Sequence, residues 1–219
     1  MKRHFKIVFI LFIFFQAATV FAQPFAQEIA QFRNKDSVSY SFKGQHPIVF
    51  TGSSSFRMWK NMEKDFAGYP ILNRGFGGST LLDVIRYADD VIVKYNPRQV
   101  VIYCGENDLA SSDTVTALEV FNRFKTLHGI IKAKFLATPV LFVSIKPSPS
   151  RIHLQQKVKD ANKLISRFLS GDDKFIDIFS SMINKDGSIM KELFIEDQLH
   201  MNGQGYAIWE RIIKPYLIK

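Results

Sequence analysis

Short unbroken apolar runs alternate along this chain with longer stretches in which apolar positions recur every three or four residues. Pro47–Phe50, Tyr69–Asn73, Gln99–Cys104, Pro139–Ile145 and Lys174–Phe179 read as strands. Helices are predicted between and after them. Arg57–Glu63 has helix formers and no breaker. Leu81–Tyr95 carries Leu81, Leu82, Ile85, Ala88, Val91 and Ile92 at helical spacing and stops before Pro97. A long helix capped by Asp113 places Val115, Leu118, Phe121, Phe124, Leu127 and Ile131 on its apolar positions. Leu154–Leu169 is ended by Gly171, and a last helix capped by Asn202 runs to about Leu217. Ahead of the first strand, Phe25–Phe32 reads as a short helix, followed by a polar linker ending at Lys43-Gly44-Gln45. Residues 180 to 201 are irregular. Strands that are apolar on both faces, each followed by a helix, describe a doubly wound, three-layer α/β sandwich around a five-stranded parallel sheet. Such sheets bind ligands outside the carboxyl ends of their strands.

The first residues break that pattern. Met1-Lys2-Arg3-His4-Phe5-Lys6 is basic, Ile7–Phe15 is continuously apolar, and Val20-Phe21-Ala22 offers a small residue before Gln23. This is the layout of a secretory signal peptide over residues 1–22, with an apolar core short for a membrane span. The expectation is a periplasmic or secreted protein, cleaved after Ala22 and without a stable membrane span thereafter. The residue directly after the cleavage site is Gln23 and not cysteine, which argues against a lipoprotein. What remains is an N-terminal helix and linker, residues 23–45, and one domain over residues 46–219. The 47% hydrophobic content of the 219 residues suffices for a core of that size. Cys104, the single cysteine, excludes a disulfide framework and a cysteine-based metal site. Of the formal charge of +9, Lys2, Arg3 and Lys6 belong to the leader, and the other basic residues are scattered. No nucleic-acid module is present, and no nucleic-acid partner is expected.

The candidate chemistry sits at the predicted strand ends. Gly52-Ser53-Ser54-Ser55 forms a tight turn between strand and helix, where backbone N–H groups converge on a hydroxyl. The same four residues also suit a plain flexible turn. A serine nucleophile needs a base, an orienter for that base and donors for the oxyanion. Among the histidines after the leader, His46 precedes the first strand at the wrong edge, His128 lies within a helix and His153 opens one. His200 lies in a late loop with Asp197 three residues before it, a spacing that points both side chains the same way. A surface histidine beside a helix-capping aspartate would show the same spacing. Gly78 ends the glycine-rich loop Arg74-Gly75-Phe76-Gly77-Gly78, and Asn107 lies in Gly105-Glu106-Asn107-Asp108; both can supply donors, and both also fit ordinary turn roles. The glycine loop does not match the dinucleotide pattern.

Taken in order, Gly52-Ser53-Ser54, Asn73–Gly78, Gly105-Glu106-Asn107-Asp108 and Asp197-Gln198-Leu199-His200 resemble the four blocks of the SGNH, or GDSL-type, hydrolases. The resemblance covers the chain from about residue 47 to its end, and it looks closest to the secreted, lysophospholipase-like esterases. It implies a flavodoxin-like SGNH-hydrolase fold and an ester hydrolase that uses no metal and no organic cofactor. It further implies that Ser54 is the nucleophile, His200 the base and Asp197 the orienter, with the oxyanion hole formed by Ser54, Gly78 and Asn107. Arg74, Glu106 and Asp108 then look like shaping neighbours. Two positions depart from the family pattern. Ser53 stands where the first block usually has aspartate, and Met201 where proline often follows the histidine. Neither removes a reacting group.

Arg74 and Arg151 are the residues expected to meet an anionic group on a substrate, although solvated surface arginines would read the same way. No long apolar insertion forms a lid, which leans towards small acyl groups on a carbohydrate or lysolipid. Two other classes fit the same residues: an acyltransferase, in which a sugar replaces water, and a non-catalytic carbohydrate- or lipid-binding module.

Overall fold

The computed structural model describes residues 24–39 and 46–219, so the predicted signal peptide lies outside the described residues. Five strands, β1 (Ile48–Gly52), β2 (Ile71–Gly75), β3 (Gln99–Tyr103), β4 (Val140–Val143) and β5 (Lys174–Ile176), form one sheet in the order β2-β1-β3-β4-β5. Every pairing is parallel. This is the flavodoxin-like doubly wound order, and it reverses between β1 and β3.

Successive residues of one strand enter opposite cores, because side chains alternate across a sheet. Val100 and Ile102 of β3 pack into one core, and Val101 and Tyr103 into the other. Helices α4 (Leu81–Arg86), α5 (Ala88–Val91), α7 (Ala117–Lys134) and α8 (Gln155–Phe168) close the first face. Helices α2 (Ser54–Arg57), α3 (Met62–Asp65) and α9 (Gly203–Ile213) close the second, around Phe50, Phe56, Tyr103 and the fully buried Trp209. Each such side chain contributes about 1.5–3 kcal/mol by leaving water. The remaining helices are α1 (Ala26–Ser39) and α6 (Glu106–Ala110).

Several boundaries depart from the sequence reading. The helix expected over 25–32 runs as α1 to Ser39, and Ile29 is buried in the first core. The helix expected over 57–63 is two short turns. The first starts on Ser54 itself, and the chain turns out at Trp59, whose indole donates to Asp65 at 2.6 Å. The helix predicted over 81–95 is broken at Tyr87 and Ile92 into α4, α5 and a 3-10 turn. Asp113 does not cap the long helix: Thr116 does, in a reciprocal capping box with Glu119. β5 stops at Ile176 rather than Phe179, because the Ser144 hydroxyl takes the N–H groups of Ile178 and Phe179 away from the ladder. Asn202 caps the last helix as read, its side chain accepting from Gln204 and Gly205.

Candidate active site

The site forms where β1, β2 and β3 end, at the reversal of strand order. At the end of β1 the backbone of Gly52 has φ of +127°, and a β-carbon there would lie 1.9 Å from the Tyr103 carbonyl oxygen of β3. Only glycine fits. The next N–H, that of Ser53, donates to the same carbonyl at 3.0 Å. Ser53 is buried and makes no side-chain cap bond, so the aspartate it replaces is not needed to close this turn. Ser54 then opens α2 with its side chain half-buried.

The Ser54 Oγ lies 2.8 Å from Nε2 of His200, and Nδ1 of that ring lies 2.5 Å from Oδ2 of Asp197. An ionised carboxylate only accepts, so Nδ1 carries the proton and Nε2 is left to accept from the serine hydroxyl. The other Asp197 oxygen accepts the N–H groups of Leu199 at 2.9 Å and His200 at 2.8 Å. Burial works against ionisation of Asp197, but the His200 ring and these two N–H groups outweigh it and hold the carboxyl below its usual range. Met201, after the histidine, is buried and pairs with Phe194, which fixes the loop without the proline.

Gly78, on the loop after β2, and Asn107, at the start of α6, lie side by side. The Asn107 amide nitrogen donates to the Ser79 carbonyl at 3.1 Å and lies 3.8 Å from where a Gly78 β-carbon would be. Asp108, fully buried, accepts from the Leu81 N–H at 2.9 Å and pairs with Arg123 at 2.8 Å, tying the end of the glycine loop to α6 and α7. The structure thus brings Ser54, His200 and Asp197 into one hydrogen-bonded row and sets Gly78 beside the Asn107 amide, on a loop whose Ser79 hydroxyl donates to the Gly52 carbonyl at 3.0 Å. His46 and His128 are elsewhere: His46 bonds the Asn96 carbonyl, and His128 pairs with Asp173.

The two arginines expected at the substrate face inward. Arg74 is buried; its guanidinium donates to the Tyr95 hydroxyl at 2.6 Å, to the Asn73 carbonyl at 2.9 Å and to Asp36 of α1, and stacks between the Phe32 and Tyr95 rings. It locks the glycine loop to α1 and has no free face for a ligand. Arg151 turns towards Glu106, 3.6 Å away, with its Nη1 buried.

Sequence reasoning missed a charged cluster. Lys146 and Glu106 are both buried and paired, and Glu106 also accepts from Ser148 at 2.5 Å and from the Tyr103 hydroxyl at 2.9 Å. Lys146 does not stand out in the sequence as a buried charge. The one available signal was its place directly after the apolar run 139–145. A cleft of about 570 Å³, mainly apolar, is lined by Asp197 and Gln198 together with Pro149, Ile152, Ile189 and Lys191.

A parallel sheet in this order, with a hydroxyl–imidazole–carboxylate relay at its switch point, defines the site as that of an SGNH-type fold. Residues 36–208 match the GDSL-like Lipase/Acylhydrolase family, and the chain belongs to that family. Solved structures share the fold. A protein from Streptococcus pneumonia named for platelet activating factor is 21% identical, with a TM-score of 0.74 over 88% of this chain and 92% of its own. A GDSL-like lipase from Bacteroides thetaiotaomicron is 21% identical, with a TM-score of 0.71 over 85% of this chain and 97% of its own. An acetyl xylan esterase, AlAXEase, is 20% identical, with a TM-score of 0.63 over 78% of this chain and all (100%) of its own. No curated protein matches the sequence.

Proposed function

We propose that this acylhydrolase-family chain is an exported serine esterase that removes small acyl groups, acetyl foremost, from a carbohydrate or lysolipid alcohol. The observation that carries the reading is the 2.8 Å approach of Ser54 Oγ to His200 Nε2, with Nδ1 of the same ring on Asp197. Ser54 Oγ attacks the ester carbonyl as its proton passes to Nε2. The carbonyl oxygen becomes an oxyanion held by the N–H groups of Ser54 and Gly78 and the Asn107 amide. The C–O bond to the alcohol breaks, and the imidazolium returns its proton to the leaving oxygen. Water then repeats the sequence on the acyl-serine, releasing the acid and restoring the hydroxyl. Asp197 keeps Nδ1 protonated throughout.

The absence of a long apolar lid insertion in the sequence supports a small acyl group. An acetyl xylan esterase among the structures of similar fold supports the same class. The leader ending at Ala22 supports export.

Turnover of p-nitrophenyl acetate by the wild type and its loss in Ser54→Ala tests the reaction. Acetate released from acetylated polysaccharide, compared with fatty acid released from lysolipid, tests the substrate. Turnover retained by Ser54→Ala would remove the serine mechanism.

A further inference from the structure

Helix α1 starts at Ala26, ten residues before the family match begins at residue 36. It is nevertheless fastened along its length, at Asp36 and Glu28 to the glycine loop and elsewhere to α5 and its flanking turns. Asp36 takes the Arg74 guanidinium, the Tyr95 hydroxyl at 2.7 Å and Lys94 at 2.6 Å. Arg33 makes a two-pronged bond to Asp90, both arms 2.8 Å. Tyr87 donates its hydroxyl to the Pro24 carbonyl at 2.8 Å.

The decisive contact is at the amino end. Oε2 of Glu28 accepts the backbone N–H of Gly77 at 2.9 Å. The Phe25 ring lies against the same residue, edge-on to Phe76 with centroids 5.3 Å apart. Gly77 has φ of +37°, and a β-carbon on it would fall 2.2 Å from the Phe25 ring and 3.0 Å from the Glu28 carboxylate. Helix α1 is therefore pressed onto bare backbone. Arg57, three residues after Ser54, sits 3.9 Å from the same Glu28 oxygen and offsets its charge.

Gly77 precedes Gly78, so its dihedral angles set the peptide plane that carries the Gly78 N–H. A carboxylate bound to the N–H of Gly77 holds the plane on one side, and the plane beyond it turns about a fixed atom. We propose that Glu28 is a positioning residue for the oxyanion hole: it clamps Gly77 so that the Gly78 N–H is aimed before substrate arrives. This rests on the esterase reading above. Donors fixed in advance lower a barrier because nothing reorganises during the reaction, and small misplacements are costly.

The test compares Glu28→Ala, Glu28→Asp, Glu28→Gln and Arg33→Ala for kcat, KM and affinity for a tetrahedral boronate, with melting temperature as a check on folding. Glu28→Ala is expected to lower kcat about tenfold with little change in KM, and to weaken the boronate by the same factor. Glu28→Asp, one methylene short, falls between. Glu28→Gln keeps an oxygen acceptor and restores kcat, while Arg33→Ala loosens only the outer side of the helix and leaves kcat unchanged. Should Glu28→Ala fail to fold, the Asp variant decides. Wild-type kcat and boronate affinity in the Ala and Asp variants overturn the proposal, as does an equal fall in kcat for Glu28→Gln and Arg33→Ala. A wild type without Ser54-dependent turnover overturns the esterase reading and this inference with it, whereas an active wild type with an indifferent Glu28 removes the inference alone.

Discussion

The backbone N–H and the hydroxyl of Ser150 both donate to the carbonyl oxygen of Gln198, at 3.1 and 3.0 Å. Gln198 lies between Asp197 and His200 on a left-handed backbone, φ of +52°, a conformation that costs a non-glycine residue about 1–3 kcal/mol unless its surroundings enforce it. Here they do. The Gln198 N–H and side-chain amide both return to the Ile195 carbonyl, and Ser150 fixes the carbonyl on the other side. Ser150 in turn belongs to the loop anchored on Glu106. The position of the imidazole therefore traces back to a carboxylate at the end of β3.

Removing that carboxylate should damage the fold more than any exposed ion pair would. Glu106 and Lys146 are both buried, and Arg151 has little else to face. Glu106→Ala leaves a buried ammonium uncompensated, a change that costs about 3–5 kcal/mol. The double variant Glu106→Leu/Lys146→Met removes both charges and should recover most of the loss. Urea denaturation of the four corners of that cycle checks it. Simple additivity of the two single changes would show that the pair is not coupled.

The same cluster sets a pH dependence. Burial opposes ionisation of Glu106, but Lys146 and Arg151 outweigh it and hold the carboxyl below its usual range. A carboxyl depressed in the folded state stabilises fully above its unfolded value of about 4.3 and ceases to do so as pH falls through the folded value. The advantage of the wild type over Glu106→Gln should thus be constant above about pH 5 and shrink on acidification below about pH 4. Melting temperatures of both proteins across that range give the result. A gap that widens in acid would reverse the assigned sign.

Two glycines of the site should respond in opposite ways to the same methyl group. Gly52→Ala drives a β-carbon to 1.9 Å from the Tyr103 carbonyl in a left-handed backbone, and should cost upwards of about 4 kcal/mol in stability. Gly78→Ala meets only the Asn107 amide nitrogen, at an ordinary 3.8 Å, and should fold normally. Its methyl nevertheless stands beside the amide proposed as an oxyanion donor, so kcat should fall with melting temperature unchanged. Asn107→Ala, which removes that donor, should lose about 10²–10³-fold in kcat. Equal kcat in Asn107→Ala would remove it from the oxyanion hole.

How much of this was visible in the sequence depends on the range of the contacts. The sandwich was legible because each strand is apolar on both faces, and Val100 to Tyr103 carry that signal without help from distant residues. Ser54, Gly78 and Asn107 stood out as residue types after strands, and Asp197 and His200 as a spaced pair in a late loop, yet nothing local states that Ser54 and His200, 146 positions apart, come within 2.8 Å. Glu106 and Lys146 were not legible as a buried pair, since each reads alone as a polar residue in a turn. The contact between Glu28 and Gly77 depends on how α1 docks, which no spacing in the chain encodes.

Arg74 shows the same limit from the other side, because its charge suggested a substrate contact and its surroundings give it a different task. The guanidinium is enclosed by Asp36, Tyr95, the Asn73 carbonyl and the faces of two rings. An ammonium cannot reproduce that planar set of donors, so Arg74→Lys is not conservative here. Both Arg74→Lys and Arg74→Ala should lower the melting temperature, the alanine more, since it leaves Asp36 with Lys94 and Tyr95 alone. Neither should raise KM for an anionic ester relative to a neutral one of the same acyl group, because the guanidinium has no free face to offer. A KM rise confined to the anionic substrate would return Arg74 to the binding site. A lower melting temperature with unchanged discrimination places it, with Asp36, in the attachment of α1 to the glycine loop.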